Sequence, residues 1–114
     1  MHQLTPIGKV TVFYIPSHKL DSPRYGNRGS ARDEIHAFLI AHYKAYTHTP
    51  SPVKGYWISG SGELLHDVTE RFEVSFGSEK DFALLVEFLA TVCATIDEES
   101  IYLTRGDESF LVGR

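Results

Sequence analysis

Hydrophobic and polar positions alternate in two rhythms along this chain, and the order of the rhythms predicts its elements. Val10–Ile15 is a short apolar strand, with Val10, Val12 and Tyr14 on one side and Phe13 and Ile15 on the other. Ile35, Phe38, Leu39, His42 and Tyr46 then recur at helical spacing, which predicts a first helix over Ile35–Tyr46. Thr47–Pro52 reads as its terminator, because two prolines cannot continue a helix. A second strand is expected over Lys54–Ser59, followed by a turn at Gly60–Glu63. Val68, Phe72, Val74 and Phe76 alternate with polar residues in a third strand, where His66 and Glu70 fall on the apolar side. Phe82–Ile96 predicts a second helix and Ile101–Thr104 a fourth strand, with room at Phe110–Val112 for a short edge strand.

Punctuation supports these bounds. Ser30-Ala31-Arg32-Asp33 and Ser78-Glu79-Lys80-Asp81 both have the form of a capping box, in which the serine accepts from a backbone N–H three residues on. Pro16–Gly29 is a connection of unusual length for a compact domain, and such connections commonly carry function. The first strand is apolar on both sides, although helices on one side would cover only one of them. A second subunit is therefore expected on the other side. The second helix has an additional apolar flank, Leu84, Phe88 and Thr91, which should either pack deeply or meet a partner.

The βαββαβ order resembles ferredoxin-like domains from about Lys9 to Thr104. The resemblance implies an α+β sandwich, one antiparallel sheet with two helices on one face, in one domain over 1–114. The long first loop, the helix after it, Gly55-Tyr56-Trp57 and the strand Leu65–Phe76 are similar to those of small bacterial proteins of unknown function, and the chain as a whole resembles dimeric α/β-barrel proteins, in which two such sheets pack face to face. The chain lacks the motifs of nucleotide-binding sensors with this fold. The fold alone selects no function.

Charge adds a candidate site. The net charge is −4, which disfavours a general nucleic-acid binder. Yet Lys19, Arg24, Arg28 and Arg32 gather between Ser17 and Arg32 against Asp21 alone, whereas the chain from Gly60 onward has twelve acidic and four basic residues. Arg24, Arg28, Ser30 and Arg32 lead into a helix N-terminus, an arrangement suited to an anionic small molecule or an acidic protein segment. Tyr14 and Trp57 are aromatic candidates for the floor of a ligand pocket. Glu70, set among apolar neighbours, needs either a partner or a raised pKa, the condition of a useful general acid or base. His66 shares its side of the strand.

The six histidines show no metal-ligand spacing, and nothing calls for a cofactor. Cys93, the single cysteine, reads as a small buried hydrophobe. The first residues lack the apolar core of a signal peptide and no apolar run is long enough to span a bilayer, so a cytoplasmic location away from membranes is expected. Two functions follow. One is a homodimeric, non-catalytic module that binds a ligand or partner through its basic loop. The other is a small dimeric barrel-type enzyme, with His66, Glu70 or a nearby tyrosine transferring a proton on a small organic substrate.

Overall fold

The computed structural model describes residues 2–21 and 29–114. Its elements are β1 (Lys9–Pro16), α1 (Ser17–Leu20), α2 (Ala31–Tyr43), β2 (Thr47–Ile58), β3 (Leu64–Phe76), α3 (Glu79–Thr95), β4 (Ser100–Arg105) and β5 (Glu108–Gly113). The sheet runs β2-β3-β1-β4-β5, and every neighbouring pair is antiparallel. This is the ferredoxin-like α+β arrangement with β5 added at one edge.

Alternation decides which side of each strand meets the helices. Phe13 and Ile15 of β1, Phe72 and Val74 of β3, and Ile101 and Leu103 of β4 are all buried. Against them lie Ile35 and Leu39 of α2 and Leu85, Leu89, Val92 and Cys93 of α3. Phe13 and Phe72, directly opposite in register, stack with ring centroids 5.1 Å apart. Cys93 is fully buried as expected, and burial pushes its thiol pKa up. Phe88 of the additional α3 flank stacks on Phe38 of α2 at 3.8 Å, so the two helices meet along that side. No helix among the described residues is long and apolar enough to cross a membrane.

Both serine caps form. The Ser30 hydroxyl accepts from the Asp33 N–H at 3.2 Å while the Asp33 carboxylate accepts from the Ser30 N–H, and Ser78 accepts from Asp81 at 3.0 Å.

Three expectations are corrected. The first helix ends at Tyr43, where Lys44 takes a left-handed conformation, so Tyr46 leaves the helix and His42 is exposed. The second strand begins at Thr47 rather than Lys54 and runs through both prolines. An edge strand tolerates proline at a bulge, and the pairing with β3 shifts register between Thr49 and Val53. Ser17–Leu20, read as loop, forms a helical turn that buries Leu20 completely.

The N-terminal segment crosses the end of β3 at Gly8, which has φ +120°. A Cβ there would lie 2.1 Å from the Phe76 carbonyl carbon, so both backbone conformation and space require glycine. Gly8→Ala should lower the unfolding free energy by at least ~1–3 kcal/mol in urea titration. An unchanged midpoint would show that the crossing does not hold.

Candidate functional site

Glu70 lies on the helix-facing side of β3, opposite Ile15, one residue before the end of the β1–β3 ladder. Its side chain is 9% exposed. A carboxylate at this depth needs charged donors, and α2 and β2 each supply one. Arg32, in the first turn of α2, forks onto it, Nη1 donating to Oε1 at 2.9 Å and Nη2 to Oε2 at 3.2 Å. His48, near the start of β2, places Nε2 2.7 Å from Oε1. The His48 ring lies nearly flat on Phe72, with centroids 4.6 Å apart.

Arg32 reaches in a second direction. Its Nε and Nη2 donate to the two carboxylate oxygens of Asp21, at 3.0 and 3.2 Å, just after α1. The guanidinium therefore links the end of α1, the start of α2 and the middle of β3. Such a bidentate pair has a fixed geometry that lysine could not reproduce. Beside the cluster, His36 Nδ1 lies 2.8 Å from the Tyr46 hydroxyl, and the Tyr46 ring rests against Phe72.

These contacts set the charge state. The hydrogen bonds from Arg32 hold the Glu70 carboxyl below its ordinary range, against the opposing effect of burial, with His48 adding to the lowering. Glu70 thus meets its burial with partners rather than with a raised pKa. It is an anion at neutral pH, suited to pairing with a cation rather than to donating a proton. The pair with Glu70, and secondarily the one with Asp21, raises the pKa of Arg32, which stays fully charged.

The residues singled out from the sequence divide between places. Ser30, Arg32 and Glu70 come to one corner of the molecule, although the Ser30 hydroxyl is committed to its cap. His66 stands four residues along β3 from Glu70, exposed and beside Tyr56, roughly 13 Å away at strand rise. Tyr14 and Trp57 pair with Arg71 and Leu65, on the side of the sheet opposite Glu70. Arg24 and Arg28 lie outside the described residues. Sequence reasoning passed over His48, Asp21 and the His36–Tyr46 pair. Reading Thr47–Pro52 as strand would have put His48 on the same side as Glu70, but the prolines hid that alternation. Among the described residues no group of three or more His, Cys, Asp or Glu is arranged for a metal ion.

Two outcomes test this geometry. Arg32→Met should cost ~1–3 kcal/mol in urea unfolding at neutral pH, because a buried carboxylate loses its charged donor. Since the folded Glu70 pKa lies below the ordinary 4.5, its stabilisation is complete above that pH and fades as pH falls through the folded value. The stability difference between wild type and Glu70→Gln should accordingly shrink on acidification below pH 4.5 and stay constant through the neutral range. A difference that grows on acidification would contradict the lowered pKa.

No protein-family model matches the chain. No curated protein matches it in sequence. Among solved structures, it is similar to a phage SAM lyase in complex with S-methyl-5'-thioadenosine. The two share 15% sequence identity at a TM-score of 0.63, over 100% of this chain and 95% of the other, a likeness of fold.

Proposed function

We propose that the chain is a small enzyme acting on a cationic organic substrate at the Glu70 cluster, with S-adenosylmethionine the first substrate to test. The observation that carries this reading is the Glu70 carboxylate, held as an anion by Arg32 and His48 on the helix-facing side of the sheet. The substrate class is suggested by the lyase whose fold the chain shares end to end. This choice replaces the non-catalytic binding module as the leading reading and moves the emphasis from the basic loop to Glu70.

S-Adenosylmethionine carries a sulfonium, an ammonium and a carboxylate. S-Methyl-5'-thioadenosine leaves when the bond from sulfur to the aminocarboxypropyl group breaks with its electron pair returning to sulfur, while the substrate's own carboxylate bonds to the released carbon and closes a lactone, so that atoms and charge balance. Positive charge on sulfur fades as that bond breaks. A carboxylate placed against the sulfonium would stabilise the substrate more than the transition state and slow the reaction. Glu70 is therefore assigned to the ammonium end, where the charge persists. Nearly all the N–H groups of Arg32 are engaged with Glu70 and Asp21, so it acts by positioning Glu70. His48, within hydrogen-bond reach of Oε1, joins Arg32 in positioning the carboxylate.

Incubation of the protein with S-adenosylmethionine, followed by chromatography, should reveal S-methyl-5'-thioadenosine accumulating above the buffer background. Glu70→Gln should lower kcat/KM by roughly 30- to 100-fold, the scale of one hydrogen bond to a charged group. Absence of product from folded protein would refute lyase action on this substrate. Saturable heat of binding without product would return the site to ligand binding alone.

A further inference from the structure

The two oxygens of the Glu70 carboxylate do not share their donors evenly. Among the described residues, Oε1 accepts from Arg32 Nη1 at 2.9 Å and lies 2.7 Å from His48 Nε2, whereas Oε2 accepts from Arg32 Nη2 alone, at 3.2 Å. A carboxylate oxygen has two lone pairs, so Oε2 is the one with room for a further donor. An ammonium that pairs with Glu70 therefore enters at Oε2, beside Nη2. That nitrogen also donates to Asp21 Oδ2 at 3.2 Å, and Nε donates to Asp21 Oδ1 at 3.0 Å. In an α-amino acid the carboxylate is one carbon away from the ammonium, which brings it to the edge of the guanidinium that Asp21 covers. Asp21 is not part of the core. Its side chain is 70% exposed, it follows the four-residue turn α1, and Arg32 is its partner among the described residues.

Resting on the lyase reading above, we infer that Asp21 is a positioning residue that occupies the outer edge of Arg32 and keeps the guanidinium off the carboxylate of S-adenosylmethionine. The chemistry calls for such a cover. As the lactone closes, an electron pair of the substrate's carboxylate forms the new C–O bond and the C–S pair returns to sulfur. The carboxylate thus loses its negative charge as the sulfonium loses its positive one. A cation bound to that carboxylate would hold the ground state more tightly than the transition state and raise the barrier. The ammonium keeps its charge throughout, so Glu70 can hold it without that effect. Arg32 has to remain in place, because the buried Glu70 needs its charged donor. A guanidinium with a bare edge beside the site, however, is a ready bidentate receptor for any carboxylate. An internal carboxylate on that edge resolves the conflict. It leaves Arg32 a single uncommitted hydrogen, on Nη1, and the substrate's own carboxylate stays free to attack.

Asp21→Ala, with kcat and KM read separately, tests this role. Baring the arginine edge should lower both values for S-adenosylmethionine by roughly two- to fivefold, the scale of an exposed ion pair. Loss of a merely structural contact would instead leave KM unchanged or raise it. Calorimetry adds a readout that does not depend on turnover. S-Adenosylhomocysteine, which has the same ammonium and carboxylate on an uncharged sulfur, should bind the variant more tightly than wild type by the same factor. 5'-Deoxy-5'-(3-aminopropylthio)adenosine, which lacks the carboxylate, should bind both proteins equally. Circular dichroism checks that the variant is folded, as the exposure of Asp21 leads one to expect. Tightened binding of S-adenosylhomocysteine alone, in a protein that does not cleave S-adenosylmethionine, would refute the lyase reading while upholding Asp21 as the cover of the arginine. In a protein that does cleave it, binding that is not tightened, or a kcat that does not fall, overturns the inference and leaves the lyase reading intact. Failure of wild type and variant to bind either compound overturns both.

Discussion

The guanidinium of Arg32 joins parts of the chain that are distant in sequence. Asp21 follows α1, Arg32 begins α2, and Glu70 sits mid-strand in β3. Neither carboxylate would order its neighbour alone, because they share a charge sign and lie on separate elements. Placed between them, the planar cation satisfies both at once. Leu20, on the turn just before Asp21, is buried by the same closure. Removal of either acid leaves the other pair intact, whereas removal of the arginine releases both carboxylates. Glu70, buried and left with His48 alone, is the more costly loss than the exposed Asp21, so the arrangement depends unequally on its members.

The same cluster explains how a carboxylate is accommodated at a core position. Glu70 occupies a position that alternation would give to an aliphatic residue, between Val68 and Phe72. An aliphatic residue there would pack without help. The carboxylate instead requires two donors, and the surrounding elements supply them from α2 and from the strand that enters at Thr47. Local violation of the apolar pattern is the usual mark of a site retained for something other than stability.

Much of the fold was legible because strand alternation, helical spacing and serine caps are local signals. The buried face of β3 and the stripes of α2 and α3 follow directly from where Phe72, Val74, Leu39 and Leu85 fall. The polar cluster was only half legible. Glu70 stood out against its neighbours, and Arg32 was visible as part of a basic run, but nothing in the sequence linked them across 38 residues. His48 was obscured for a different reason. Pro50 and Pro52 ordinarily argue against strand, and only the pairing with β3 shows that they lie in an irregular stretch of an edge. Tyr14 and Trp57, read as candidates for a pocket floor, do lie on strands, but that they face away from the cluster depends on register, a long-range property.

Those prolines also limit how copies of this sheet can grow. An edge strand with an unbroken row of N–H groups invites a neighbour to extend it, and the extension then exposes a new edge for the next. On β2 the row is interrupted at residues 50 and 52, where proline has no hydrogen to offer, and the register shift after Thr49 bends the strand out of line. A strand added to this margin would have to stop at that stretch, which shortens the edge open to ribbon-like growth.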